Sequence, residues 1–154
     1  MNTTIQTRTA TVDDLPVLLA FEQGIVEAER PFNPSLKPGH INYYDIKALI
    51  LSDTAEVIVA TFEDQIIASG YVKKMVASDY FQYDEYAYLG FMYVDPDHRG
   101  KGVNRIIIEA LERWAKDQGI SEICLEVYVE NKGAIRAYEK VGFQSLTSWM
   151  RKKV

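Results

Sequence analysis

Residues 94–104, Val-Asp-Pro-Asp-His-Arg-Gly-Lys-Gly-Val-Asn, constrain this chain more than any other stretch. They follow a run with strand character, 86–94, and open a run with helical spacing, 103–117. A strand that enters a helix through a glycine-bearing turn is a device for holding phosphate. The first N–H groups of the helix have no internal partners, and the helix dipole favours negative charge there. Gly100 and Gly102 let the backbone approach a ligand and take positive φ. Arg99 and Lys101 add cationic donors. The loop lacks the spacing of a Walker A motif. It also fails the dinucleotide pattern Gly-x-Gly-x-x-Gly, because Arg105 stands where the third glycine belongs.

The length of 154 residues suits one domain, 1–154, with one core. A formal net charge of −5 argues against nucleic acid or an anionic membrane surface as partner. The one cysteine, Cys124, lies in an apolar run and reads as a buried thiol rather than a nucleophile. Residues 1–11 are polar and show no leader pattern, and no apolar run is long enough to span a membrane. A soluble cytoplasmic protein is expected.

In chain order, 5–10 reads as a first strand, and Thr11 or Asp13 caps the helix after it. Residues 31–40, with three prolines and a glycine, form a loop, and a second helix is expected over 42–51. Glu22, Glu27, Glu29 and Arg30 precede this loop, where they form an acidic rim able to attract a cationic amine or simply a solvated helix face. Residues 56–61 and 65–76 read as a hairpin around Glu63-Asp64. Val103, Ile106, Ile107, Ala110, Leu111 and Trp114 give the next helix one apolar face. Strand 123–129 follows, then a helix capped by Asn131 and ended by Gly142, then a last strand over 143–151.

Two stretches carry a family resemblance. Arg99 and Gly102 fit the acyl-CoA loop of the GNAT acetyltransferase superfamily, Gln/Arg-x-x-Gly-x-Gly/Ala, with Asn104 where that family has Gly or Ala. Asn131, Ala134, Tyr138, Gly142 and Phe143 resemble its second motif, Asn-x-x-Ala-x-x-x-Tyr-x-x-x-Gly-Phe. The resemblance implies a single-domain α/β fold: a mixed, mostly antiparallel sheet of about six or seven strands flanked by about four helices. It implies acetyl-CoA as cosubstrate and direct N-acetylation of a small-molecule or peptide amine in a ternary complex. The pyrophosphate would sit on the amides of Lys101, Gly102, Val103 and Asn104, with Gly100 shaping the turn and Arg105 and Ile106 extending it. Pantetheine would pair along Met92, Tyr93 and Val94, as an added strand would, with Asn131 near its arm.

Acetylation of an amine needs a base, or a water chain, to neutralise the ammonium, and an acid or donor for the leaving thiolate. It needs no covalent enzyme intermediate, which suits a chain without a Ser, Cys and His set. By resemblance Tyr138 lies near the thioester sulfur and donates to the thiolate. Glu126 matches the base of one branch, with Glu85 and Tyr88 as competitors. The Met92 amide is a candidate oxyanion donor. His40 and His98 read as surface residues, and no cluster has metal-ligand spacing. The alternative to an enzyme is a non-catalytic acetyl-CoA sensor or binding module. An exposed last strand at a sheet edge also admits a homodimer.

Overall fold

The computed structural model describes residues 4–154. Residues 1–3, where the expected domain and the leaderless stretch begin, lie outside the described residues. Strands β1 (Gln6–Thr9), β2 (Ala55–Phe62), β3 (Gln65–Val76), β4 (Glu85–Val94) and β5 (Ile123–Cys124) form one sheet in the order β1-β2-β3-β4-β5. The first three pairings are antiparallel and β4 pairs β5 in parallel, so the sheet is mixed. Helix α1 (Leu15–Glu29) and α2 (Ile46–Leu51) follow β1, α3 (Val103–Asp117) follows β4, and α4 (Lys132–Lys140) follows β5.

Two cores lie on opposite faces of the sheet. Alternation along β2, β3 and β4 sends one set of side chains toward α3 and the other toward α1 and α2. Ile58, Ala60, Ala68, Val72, Ala87 and Leu89 meet Val103, Ile107 and Leu111 on one face. Val57, Val59, Tyr71 and Phe91 meet Leu18, Phe21, Ile25 and Ile46 on the other. Gly70 lets α3 come close: a Cβ there would lie 2.7 Å from the Ile107 side chain. The β2–β3 turn is tight because Glu63 and Asp64 both take positive φ, 51° and 63°, as a two-residue hairpin turn requires.

Five expectations are corrected. The sheet has five strands among the described residues, not six or seven. The expected strand 123–129 is a ladder of two residues, Ile123 and Cys124, and 143–151 forms no strand. A strand exists only with a partner to bond, and among the described residues no strand pairs with the outer edge of β5. Helix α2 begins at Ile46 rather than 42, where the Asp45 carboxylate accepts the Ala48 N–H at 3.1 Å. At the first helix Thr11 caps a short 3₁₀ turn, Val12–Asp14, and Asp14 caps α1; Asp13 caps neither. Asp14 also accepts the Thr11 N–H at 2.8 Å and both guanidinium nitrogens of Arg8.

The feature that positions the site is a bulge in β4. Ser69 pairs with Tyr93 and Tyr71 with Gly90, so Phe91 and Met92 together oppose Gly70. Phe91 takes φ 58°, unusual for a bulky residue. Its carbonyl is held by the hydroxyl of fully buried Ser69, which donates at 3.0 Å. Ser69→Ala should therefore lower stability by about 1–2 kcal/mol, since a buried carbonyl loses its donor. Denaturant titration should show a lower midpoint with an unchanged m-value; an unchanged midpoint would show that the bulge stands without this bond.

Candidate active site

The loop after β4 is held by its own side chains. Asp95 accepts the Asp97 N–H at 3.0 Å within a 3₁₀ turn, Pro96–His98. Arg99 donates from Nε to the Val94 carbonyl at 2.9 Å and stacks its guanidinium over the Tyr93 ring, 5.6 Å from the centroid. Lys101 donates from Nζ to the Asp97 carbonyl at 3.1 Å. Both cations, expected as ligand donors, are braces for the loop here. Gly100 and Gly102 take φ 75° and 78°, the left-handed region where glycine costs least. Gly102 is the N-cap of α3, and the first bond of the helix runs from the Ile106 N–H to the Gly102 carbonyl at 3.3 Å. Ile106 is thus committed to the helix. The amides of Val103, Asn104 and Arg105 are the ones that open a helix without internal partners.

Beside the loop, β4 has an open edge. It pairs with β5 only at Ala87 and Tyr88. From Leu89 to Val94 the side that faces away from β3 carries no strand among the described residues. Met92, Tyr93 and Val94 therefore run along the opening and enter the loop directly. The Tyr93 ring itself turns away and packs on Phe21 of α1 at 4.6 Å. Asn131 caps α4, where its Oδ1 accepts the Ala134 N–H at 3.2 Å.

On the α1 and α2 face, tyrosines and two carboxylates gather. The Tyr44 ring lies 5.5 Å from Tyr71 and 5.4 Å from Phe91, and Tyr71 lies 6.3 Å from Tyr88. Lys73 reaches over the Tyr71 and Tyr88 rings at 5.8 and 5.6 Å. Glu126 faces Tyr71 and Tyr88 and helps hold both phenols above their usual range, after burial. Glu126 is exposed, however, not partly buried as a full strand would have made it. Glu85, its expected competitor, is exposed and lies 3.9 Å from Lys74 at the far start of β4.

Glu29, the last residue of α1, is the carboxylate whose setting sequence reasoning did not resolve. Burial holds its carboxyl above the usual range. Its charge acts on Tyr43, Tyr44 and Tyr138. Tyr138 is pushed up to about 12, by burial first and by Glu29 second, so it stays protonated near neutral pH. The Tyr43 hydroxyl is buried in the field of Glu29 without a hydrogen bond of normal geometry. The other acids of the expected rim turn elsewhere. Glu22 is fully buried and accepts the Tyr43 and Tyr44 amides at 2.8 and 2.9 Å. Glu27 pairs with Arg30 at 2.8 Å. No local pattern separates these four residues; their roles depend on where the following loop packs.

That loop is clipped to α1. Arg30 donates to the Lys37 and Gly39 carbonyls, and Gln23 donates to the Ile41 carbonyl at 2.6 Å. Asn33 reaches across the opening and donates to the Tyr128 hydroxyl at 2.9 Å, while Phe32 stacks on the Tyr128 ring at 6.1 Å. Tyr138 of α4 packs edge-on against Phe143 at 5.9 Å. His40 is exposed and bonds Asn42, and His98 packs on Phe62, away from this cluster. Cys124 is half-buried, and burial holds its thiol above the ordinary range, as suits an unreactive thiol.

A mixed sheet opened beside a glycine loop at a helix start is the frame of a CoA-dependent acyltransferase. The model of the acetyltransferase (GNAT) family matches residues 23–143, and the chain belongs to that family. Among curated proteins it is similar to the uncharacterized N-acetyltransferase MJ1207 of Methanocaldococcus jannaschii, 39% identical over 44% of this chain and 31% of the relative. It is also similar to the thialysine N-epsilon-acetyltransferase of Bos taurus, 38% identical over 44% of this chain and 42% of that one. The matched stretch thus spans less than half the length of either relative. Among solved structures, a predicted acetyltransferase with acetyl-CoA from Clostridium acetobutylicum shares the fold at TM-score 0.72 and 21% identity, covering 97% of this chain and 96% of that one.

A carboxylate beside a phenol disfavours the phenolate, so Glu29→Gln should let Tyr138 ionise at lower pH than it does in the parent. The signal is the phenolate absorbance that each protein loses when Tyr138 is replaced by Phe. An unchanged titration would place Glu29 out of range of Tyr138.

Proposed function

We propose that this chain transfers the acetyl group of acetyl-CoA directly to a primary amine of a small molecule or a peptide N-terminus. The observation that carries this is the open edge of β4, which leads without a break into the unpartnered amides that start α3. A pantetheine arm has the amides to pair with such an edge, and a pyrophosphate has the charge to sit at such a helix start. Acetyl-CoA supplies the activated acyl group. Met92, Tyr93 and Val94 would line its arm, with Asn131 nearby. The turn Gly100 to Arg105 would take its phosphates, with Lys101, Gly102, Val103 and Asn104 as amide donors and Arg99 as the brace that holds the loop in shape.

Tyr138 is the proposed acid. A phenol kept protonated to about pH 12 has a proton to give a leaving thiolate. The acceptor ammonium must lose a proton, and two carboxylates face the tyrosine-lined space. Glu29 is the better base: its carboxyl sits above the usual range, nearer the pH at which it must work, and its charge reaches Tyr138. Glu126, the expectation from sequence, is the second candidate. Aromatic rings with carboxylates favour a cationic acceptor, and the bovine thialysine N-epsilon-acetyltransferase takes an amine by name.

Calorimetric titration with acetyl-CoA, free CoA and ATP should show binding of both CoA forms and none of ATP. Gly102→Val should weaken that binding at least tenfold, because a β-branched residue resists φ 78°; unchanged affinity would put the cofactor elsewhere. Binding with no thiol release on any of a broad set of amines would leave a binding module in place of an enzyme.

Tyr138→Phe should lower kcat by about a hundredfold with little change in CoA affinity. Glu29→Gln should lower it more than Glu126→Gln, and most at low pH. The reverse order would return the base to Glu126.

A further inference from the structure

Two rings aim one cation at the candidate site. Tyr71 and Lys73 of β3 share the face that packs α1 and α2, and Tyr88 of β4 pairs with Lys73 in register. Lys74 turns to the other face and meets Glu85 at 3.9 Å. Lys73 is half-buried, and its ammonium stands astride the two rings, 5.8 Å from Tyr71 and 5.6 Å from Tyr88. The Tyr71 ring lies against Gly90, where a Cβ would come within 2.4 Å of it, and Gly90 adjoins the bulge. The ammonium is thereby set on the α1 side of the sheet, close to where the open edge of β4 begins.

Among the described residues Lys73 forms no ion pair and no hydrogen bond through this ammonium. Ring faces offset part of its lost hydration, but its three N–H donors remain for oxygens from outside the chain. The opposite sign is held apart from it. Glu126 is turned to the Tyr88 hydroxyl. Glu29 acts on Tyr44, whose ring lies 5.5 Å from Tyr71, so Tyr44 links the Glu29 end of the space to the Lys73 end. A space with carboxylates at one end and a fixed ammonium at the other is complementary to a molecule that carries both signs. It disfavours a molecule that brings a second cation to the ammonium end, because like charges repel in a partly dry site.

We propose that the acceptor is a small zwitterion, with its amine toward Glu29 and Tyr138 and an anionic group at its other end held by Lys73 above the Tyr71 and Tyr88 rings. The anionic group is an oxyanion, a carboxylate or a phosphate. This rests on the acetyl transfer proposed above and narrows it, since a plain alkylamine and a polycation both become poor acceptors. In the transfer the amine nitrogen bonds the acetyl carbon as the C–S bond breaks. Glu29 takes the amine proton, and the leaving thiolate takes one from Tyr138. The contact between Lys73 and the anion is the same before and during that step. Lys73 is therefore a specificity-determining residue, and its contribution falls on KM rather than kcat.

Matched pairs of amines give the test. ω-Amino acids of increasing chain length are compared with alkylamines of the same chain that lack the carboxylate, and phosphoethanolamine is compared with ethanolamine. Thiol release is followed at saturating acetyl-CoA. The anionic member of the best pair should show kcat/KM about tenfold higher or more, mostly through KM, which is the worth of one charge-assisted hydrogen bond. The two series tell carboxylate from phosphate. Lys73→Met should bring the ratio within each pair to about one, Lys73→Glu should invert it, and Lys73→Arg should keep most of it. Equal kcat/KM within every pair in the parent, or a ratio that survives in Lys73→Met, would overturn the zwitterion and leave acetyl transfer standing. Calorimetric titration of the same pairs with free CoA bound reads the preference without turnover. Binding of the anionic members with no thiol release would keep the Lys73 subsite and overturn the transfer instead; binding of neither member, with no release, would overturn both.

Discussion

The bulge at Phe91 and Met92 is the constraint on which the rest depends. One extra residue in β4 breaks the pairing register, tilts the strand and ends its partnership with β5 after Tyr88. A residue as large as Phe at φ 58° is not stable alone. Ser69 holds its carbonyl from β3, and Tyr44 packs against its ring from the segment before α2. Strain at one residue is thus offset by contacts from two elements, and the result is an exposed run of backbone that leads to the start of α3.

The opposite wall is made differently. Residues 30–44 have no ladder of their own. They are tied to α1 through side chains of α1 and the residue after it: Glu22 to two amides, Gln23 to Ile41, Arg30 to two carbonyls. Glu29 is half-buried beside this loop, and burial raises its carboxyl; Tyr138 is raised first by its own burial and second by the charge of Glu29. The chemistry proposed for the site therefore depends on this loop as well as on the glycine turn.

Much of this was legible in the sequence where a local rule applies. Helix α3 and strand β3 fall on the expected residues because apolar periodicity and turn residues bound them on both sides. The glycine loop, the cap at Asn131 and the alignment with the family motifs are likewise local. What was not legible depends on distant partners. A strand at 143–151 has the right pattern but no neighbour to bond. Glu22, Glu27 and Glu29 share one residue type within eight positions, yet one is a buried staple, one a surface ion pair and one faces Tyr138. Arg99 and Lys101 carry the expected charge but spend it on backbone carbonyls of their own loop.

The clips that hold residues 30–44 are few and lie mostly near the ends of the segment, with Asn33 and Tyr128 joined across the gap. Between them Pro34, Ser35, Lys37 and Pro38 are exposed and bear no side-chain bond to the body. In an evolving lineage such a segment can change its length and chemistry while the staples persist. The strand edge and glycine turn would be untouched by those changes. One half of the molecule is thereby free to drift and the other is not, which is the kind of separation by which a single scaffold comes to serve many different clients.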